Sequence, residues 1–153
     1  MSDYKFYMQK CDKDYNLIDG TLKDLEVDFD GLKYGKCEGI NDYGKPKNVY
    51  TEEYSDSNEL RVYVPQEITN EATTIKFTFY FTGANRQATY HSFISYLNDG
   101  IHVYYDTARK RKFYFILTEK ISISDEMWYG GEPYFKVDLT VQNIKGKTED
   151  ISI

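Results

Sequence analysis

Apolar residues recur at every second position over much of the chain, which is the period of a β-strand with one buried and one wet face. In "YKFYMQ" this alternation places Phe6 and Met8 on one face and predicts a first strand at 4–9. The same period predicts strands at 22–30, 59–65, 75–82 and 134–143, and shorter ones at 47–54 and 120–124. The pattern therefore predicts a mainly β protein.

Two of these strands carry four apolar residues on one face and are predicted to turn that face inward. These residues are Ile75, Phe77, Phe79 and Phe81, and then Phe135, Val137, Leu139 and Val141. The stretch 101–118 predicts a β-hairpin with its turn at 106–111. Ile101, Val103 and Tyr105 alternate along its first arm, so His102 is expected to point outward.

One stretch has a helical period instead. Between Gly83 and Gly100, Asn85 is placed to cap a helix, and Gly100 stands where a helix ends in a left-handed residue. The apolar residues between them fall at i, i+3, i+4 and i+7, which makes a single stripe on one side of the helix. They are Tyr90, Phe93, Ile94 and Leu97.

Glycine and proline mark the predicted loops. The segment 31–48, "GLKYGKCEGINDYGKPKN", predicts a long ordered loop or extended hairpin, and a loop of this length in a compact domain is usually functional or partner-bound. "DEMWYGGEP" at 125–133 predicts another loop. With seven to nine strands and one helix, the predicted fold is a single domain over 1–153, a mostly antiparallel β-sandwich or open barrel with one packed helix.

Composition and charge narrow the class of protein. Sixteen Tyr and nine Phe favour pleated, half-buried surfaces and interfaces. The net charge is -6, and residues 1–60 hold 14 Asp and Glu against 8 Lys, so all the excess acid is N-terminal. A duplex-binding module normally shows a basic stripe, so specific nucleic-acid recognition is disfavoured. Neither a membrane span nor the apolar core of a signal peptide is apparent.

Residues able to do catalytic or metal chemistry are few. Cys11 and Cys37 have neither a CxxC spacing nor a disulfide framework and are expected to be free thiols, although the sequence leaves open whether they pair. His91 and His102 lack the neighbours of a first-row metal site. A calcium-loop pattern that begins at Asp12 lacks both its turn glycine and its bidentate glutamate. We therefore expect no enzyme, no metal and no cofactor.

A row of carboxylates follows one face of the predicted strand 22–30: Asp24, Glu26, Asp28 and Asp30. Alternate residues on a strand face stand about 7 Å apart, within the range of an inverting glycosidase pair. Four exposed acids would nevertheless repel one another and stay ionised, so none is set up as a general acid. A solvated or partner-facing acidic surface is the better interpretation.

Two further features suit contacts with a partner. The basic run Arg109, Lys110, Arg111 and Lys112 occupies the predicted hairpin turn, either as a solvated turn or as a contact for an acidic stripe on a neighbouring subunit. Trp128 and Tyr129 adjoin two glycines, which fits a loop cap on the core, an interface anchor or a sugar-stacking platform.

The order strand, helix, aromatic hairpin, strand over residues 60–145 resembles the core of the phage tail-tube family of folds. Its elements are "FTFYFTGANRQATYHSFISYLNDGIHVYYDTARKRKFYFIL" and "YFKVDLTVQN". Within that group the chain resembles distal tail (Dit-like) proteins of bacteriophages and prophages. The resemblance implies a β-sandwich flanked by a helix, no catalytic residues, and a long loop or hairpin joining neighbours in a ring. Such rings are commonly six-fold and stack on the tail tube.

The function that follows is a structural subunit of a phage or phage-derived tail, assembled in the host cytoplasm and carried in the virion. Its partners would be copies of itself and other tail proteins, with DNA passing through the ring and no membrane contact. The expected subunit interface is Tyr34, Tyr43, Arg109, Lys110, Arg111, Trp128 and Tyr129, and the expected lumen stripe is Asp24, Glu26, Asp28 and Asp30. The alternative is a carbohydrate-binding β-sandwich module that uses Trp128.

Overall fold

The computed structural model describes residues 4–47, 50–53, 60–63 and 69–151. Within these residues the chain forms twelve strands and two helices. In chain order they are β1 (Phe6–Cys11), β2 (Lys23–Asp24), α1 (Leu25–Asp28), β3 (Leu32–Glu38), β4 (Tyr50–Glu53), β5 (Leu60–Tyr63), β6 (Thr73–Thr82), α2 (Arg86–Leu97), β7 (Ile101–Asp106), β8 (Arg111–Leu117), β9 (Ser122–Ile123), β10 (Met127–Tyr129), β11 (Glu132–Asn143) and β12 (Glu149–Asp150).

Ten of the strands form one antiparallel sheet. Seven of them follow the order β2-β1-β7-β8-β11-β6-β3, while β9 and β10 also pair with β11, and β12 pairs with β8. The ladder between β6 and β11 runs from Tyr134↔Thr82 to Asn143↔Thr73 and is the longest in the sheet. Because β6 covers one side of β11, the strands β8, β9 and β10 follow one another along its other side. Among the described residues, strands β4 and β5 pair only with each other and form a separate two-stranded sheet.

The ten-stranded sheet folds over on itself. Only three residue pairs join β8 to β11, so the sheet can bend at this junction. Across the interior, the Phe77 ring of β6 lies 4.9 Å from the Tyr104 ring of β7 and 6.0 Å from the Phe113 ring of β8. The strands near the two ends also meet, since the Phe6 ring stacks on Tyr34 at 3.9 Å. This arrangement confirms the predicted mostly antiparallel sandwich or open barrel.

The core is built from the two strand faces that the alternation predicted. All eight apolar side chains on the inward faces of β6 and β11 are buried, from Ile75 to Phe81 and from Phe135 to Val141. Aromatic rings dominate, and their centroids lie at the 4.5–7 Å separations typical of favourable ring pairs. The strand faces with the strongest apolar alternation therefore form the centre of the core, as predicted.

Helix α2 covers one side of this core, as its apolar stripe predicted. Phe93 lies 5.3 Å from the Phe79 ring and 5.1 Å from the Phe29 ring. Asn85 occupies the N-cap position without a side-chain cap bond, and Gly100, with φ +91°, follows the helix end in the left-handed region that favours glycine. The predicted helix is confirmed in place and orientation.

The predicted outward position of His102 is wrong. His102 is fully buried, and Nε2 lies 2.9 Å from the Tyr96 carbonyl oxygen while Nδ1 lies 3.2 Å from the Gly100 carbonyl oxygen. The imidazole is therefore accommodated by carbonyl groups at the end of α2. Its neighbour Val103 is also fully buried, so both faces of β7 lose contact with solvent and alternation cannot tell them apart.

The predicted strand at 22–30 is also wrong beyond its first residues. Only Lys23–Asp24 pair as a strand, and Leu25–Asp28 form one helical turn. Leu25 and Phe29 are buried while Val27 between them is exposed. This i, i+4 spacing is that of a helix and puts Val27 on the opposite side.

Two other segments differ from the predictions. The segment 31–48, predicted as a long loop or extended hairpin, contains strand β3, which pairs with β6. The segment predicted as a loop at 125–133 contains strand β10, the turn at Gly130 and Gly131, and the start of β11. Strands β4 and β5 lie within the strands predicted at 47–54 and 59–65. Most other positions of these two predicted strands lie outside the described residues. The number of strands exceeds the seven to nine expected because several strands are only two or three residues long. The helical turn α1 was not predicted.

No helix in the described part of the chain combines the length and apolar character needed to cross a membrane.

Candidate interaction surfaces

The hairpin of β10 and β11 exposes two large aromatic rings. Trp128 pairs with Pro133 and Tyr129 with Glu132, so Gly130 and Gly131 form a two-residue turn. Their φ values of +59° and +83° are those of the left-handed region, which a type I′ turn needs at both positions. Trp128 is 68% exposed and Tyr129 is 82% exposed. Because successive strand residues point to opposite faces, the two rings lie on opposite faces of the hairpin.

An ion pair fixes the base of this hairpin to helix α2. Arg86 Nε donates to Glu126 Oε1 at 2.8 Å and Nη2 donates to Oε2 at 2.9 Å. Arg86 Nη1 also donates to the Gly83 carbonyl oxygen, and Gln87 Nε2 lies 3.3 Å from Glu126 Oε1. The hydrogen bonds from Arg86 and Gln87 lower the pKa of Glu126 below its ordinary value. This bidentate ion pair orients the hairpin relative to the first turn of α2.

A buried carboxylate holds the β7–β8 turn. Asp106 is fully buried and accepts hydrogen bonds from the Arg109 backbone N–H at 3.0 Å and from Arg109 Nη1 at 2.6 Å. The Tyr104 hydroxyl donates to it at 3.3 Å. A charge removed from water needs such partners, so Arg109 is part of the fold as well as of the surface.

The other residues of the basic run have different environments. Arg111 donates to the Thr148 hydroxyl and carbonyl oxygens and forms an ion pair with Asp150, which ties the C-terminal strand β12 to β8. Lys110 is exposed, has φ +59°, and its side chain has no ion-pair partner among the described residues. Lys110 is thus the member of the run that is most available to a partner.

The other two tyrosines of the predicted interface, Tyr43 and Tyr34, have different environments. Tyr43 is 65% exposed. Tyr34 is half-buried between the Phe6 ring and the Phe79 ring, 6.0 Å away, and burial raises the pKa of its hydroxyl. Most of the Tyr34 ring therefore packs within its own chain, where it joins β3 to β1.

The four predicted lumen acids surround α1, and all four have local polar contacts; Asp30 Oδ2 lies 3.5 Å from Asn85 Nδ2. Glu26 Oε1 accepts from the Tyr34 backbone N–H at 3.0 Å, and Asp28 Oδ2 accepts from the Asp24 backbone N–H at 2.7 Å. Asp24 Oδ2 lies 3.5 Å from Lys5 Nζ. Because α1 is a helical turn, these acids do not form one strand face. Their position in a lumen remains a prediction.

Close backbone contacts fix the segment that leads into β4. Gly44 N–H donates to the Gly146 carbonyl oxygen at 2.7 Å, and Glu71 N–H donates to the Lys45 carbonyl oxygen at 2.8 Å. A Cβ on Gly44 would lie 1.6 Å from the Glu71 carbonyl oxygen, and one on Gly146 would lie 2.0 Å from it. Only glycine permits this approach, so the two glycines hold the segments 44–47 and 69–71 close to the turn at Gly146.

The remaining polar groups do not converge on a reaction centre in the part of the chain that the structure describes. No group of three or more His, Cys, Asp or Glu side chains there is arranged to hold a metal. Cys11 and Cys37 are free and buried, and burial raises the pKa of Cys37 to about 12, which makes it a poor nucleophile. Burial likewise lowers the pKa of His102.

A shallow groove of about 400 Å³ lies beside β1 and β7, and sequence reasoning did not identify it. Its lining contains no carboxylate, histidine or cysteine, so it offers no acid–base pair. The lining residues are Tyr7, Gln9, Leu22, Tyr105, Thr107 and Ile151.

The chain has a Dit-like fold. It is similar to the Dit protein of phage SPP1, whose crystal structure is described as a paradigm of the hub adsorption apparatus in phages that infect Gram-positive bacteria. The two share 16% sequence identity with a TM-score of 0.50, and the match covers 95% of this chain and 52% of that chain. This chain therefore spans about half the length of the solved structure, and the likeness shows the fold alone.

No protein-family model matches the chain, and no curated protein matches it.

Proposed function

We propose that this protein is a structural subunit of a bacteriophage or phage-derived tail, and that it acts as a homo-oligomeric ring built by head-to-tail contacts. The Dit-like fold, matched over 95% of the chain, is the observation that carries the proposal. The ring would lie at the tail tube or distal tail, within the virion, after assembly in the host cytoplasm. Six-fold order is the expectation from the family that the sequence resembles.

Two surface features support contacts with further chains. The β10–β11 hairpin exposes Trp128 and Tyr129, and large aromatic side chains are frequent anchors of protein interfaces. The β4–β5 pair has no third strand among the described residues, and a lone two-stranded hairpin is marginally stable in water. A neighbouring subunit that packs on β4 and β5 would stabilise them.

The acidic residues around α1 suit the passage of DNA through such a ring. Like charge keeps the phosphate backbone from adhering, so a wall containing Asp24, Glu26, Asp28 and Asp30 would let DNA slide without specific recognition. Other tail proteins would bind the two open faces of the ring.

The alternative, a carbohydrate-binding module, is less favoured by the hairpin geometry. Trp128 and Tyr129 point to opposite faces of β10, so they cannot form one continuous platform under a sugar ring. A glycan array separates the two functions: binding that Trp128→Ala abolishes would favour the sugar-binding module.

Electron microscopy of the purified protein, alone and mixed with tail proteins from the same phage or prophage, tests the proposal. We expect annular particles of uniform diameter and defined rotational order. Particles that remain the size of one protomer at high concentration, both alone and in the mixtures, would contradict a ring-forming role.

A further inference from the structure

The tip of the β10–β11 hairpin has the composition of a receptor for a cation. Tyr129 and Glu132 are cross-strand partners, so their side chains emerge side by side on one face. No Lys or Arg occurs from 121 to 135, whereas Asp125, Glu126 and Glu132 all fall there. Glu126 is engaged by Arg86, while Asp125 and Glu132 have no ion-pair partner among the described residues. The hairpin thus presents exposed rings beside uncompensated negative charge.

The β7–β8 turn has the complementary character. The densest basic run of the chain, residues 109–112, lies at the end of this turn and the start of β8. Arg109 and Arg111 are bound to Asp106 and Asp150, and Lys112 is half-buried on β8, whereas Lys110 is exposed at a position of positive φ. An ammonium group interacts favourably both with a carboxylate and with the face of an aromatic ring.

One protomer cannot bring these two surfaces together. Arg109 lies beside Tyr34 of β3. Across the sheet, Tyr34 pairs with Phe79 of β6, and Phe79 pairs with Val137 of β11. Trp128 of β10 pairs with Pro133, which lies four residues from Val137 along β11, and β10 is the third strand from β3 in the sheet. At about 3.3 Å per residue and about 4.8 Å per strand, the two surfaces are separated by about 20 Å. They can therefore meet only between copies.

We propose that the β7–β8 turn of one subunit docks on the aromatic hairpin of the next, with Lys110 placed between Tyr129 and Glu132. This contact rests on the proposed ring function and specifies which two surfaces join. It uses different surfaces on the two copies, so it is heterologous and generates a ring when the rotation closes. The Arg86–Glu126 ion pair fixes the hairpin beforehand, which reduces the ordering cost of binding.

A charge exchange tests the contact. Sedimentation velocity over a concentration series compares the wild type with Lys110→Glu, Glu132→Lys and the double variant. The association midpoint is the protein concentration at which half of the protomers are associated. Each single variant is expected to raise this midpoint by about tenfold, because like charges then face each other. The double variant is expected to return to the wild-type midpoint. Lys13→Glu is the matched control for Lys110→Glu, since it makes the same change in net charge on the exposed β1–β2 connection and should leave the midpoint unchanged.

Fluorescence gives a second readout in a variant that combines Trp128→Phe with Tyr129→Trp, because Trp128 is the only tryptophan of the chain and the exchange moves it to the face that receives Lys110. We expect the emission of this variant to shift to the blue as it associates. If this variant assembles but its emission is constant, or if the charge-exchange double variant associates as poorly as the singles, the contact is elsewhere and this proposal is wrong, while the ring function stands. If no form assembles at any concentration, both the contact and the proposed function are contradicted.

Discussion

The Phe77 side chain allows a direct test of the packing between the two layers of the sandwich. It is fully buried on β6, and its ring lies 4.9 Å from Tyr104, 5.7 Å from Phe115 and 6.0 Å from Phe113 on the opposite layer. Phe77→Ala removes the ring that all three contact. We therefore expect a large loss of stability from this one change.

The magnitude follows from the burial of the ring. Truncation of a fully buried Phe costs about 3–5 kcal/mol, because the transfer free energy of the ring is lost and a cavity remains. The whole free energy of unfolding of such a domain is about 5–15 kcal/mol. At about 2–4 °C per kcal/mol for a chain of this size, the midpoint of thermal unfolding should fall by roughly 6–20 °C.

Urea unfolding followed by far-UV circular dichroism measures this loss. Tyr129→Ala is the matched control, because it also removes an aromatic ring but from a site that is 82% exposed, and we expect it to cost less than about 0.5 kcal/mol. If Phe77→Ala lost less than about 1 kcal/mol, the layers would not pack through this ring and the folded-over sheet would be refuted.

Three further predictions test other parts of the structure. Burial lowers the pKa of His102, so the unfolded chain binds a proton first and stability should fall as pH drops below about 6.5; His102→Gln should flatten that dependence in urea titrations. Asp106→Asn should cost about 2–3 kcal/mol in chemical unfolding, whereas Lys110→Ala, in the same turn, should change stability by less than about 0.5 kcal/mol. Gly44→Ala should speed hydrogen exchange at the Glu71 amide through its clash with the Glu71 carbonyl, and an unchanged rate would contradict the close approach.

The centre of the fold could be predicted because its sequence signals are strong and unambiguous. Strand β6 alternates four large apolar residues with polar ones, and helix α2 has a complete i, i+3, i+4, i+7 stripe between two glycines. Each pattern fits one kind of element only. Burial on one face then follows from the period alone.

Other elements were missed because local signals competed. In 22–30, Leu25, Val27 and Phe29 fit a strand, while the pair of Leu25 and Phe29 fits a helical turn equally well, and tertiary packing decides for the helix. Strand β3 has a register shift between Tyr34 and Lys36, which breaks its alternation and hides it among glycines.

The aromatic hairpin could have been predicted more closely than it was. Gly130 and Gly131 between two apolar stretches are a standard signal for a two-residue hairpin turn. The sequence predicts Trp128, Tyr129 and Lys110 as partner-facing residues; all three are exposed, and their contact with a partner stays a prediction. It could not reveal that Arg109 is committed to a buried carboxylate, since that depends on how the β7–β8 turn folds over Asp106.

Native mass spectrometry over a concentration series is the most direct test of the claim that this chain works by closing on copies of itself. The account predicts a population that moves from one protomer to a single larger species with a fixed whole number of protomers, and that does not grow further at higher concentration. A spectrum that contains one protomer throughout, or a ladder that lengthens without limit, would contradict a closed ring.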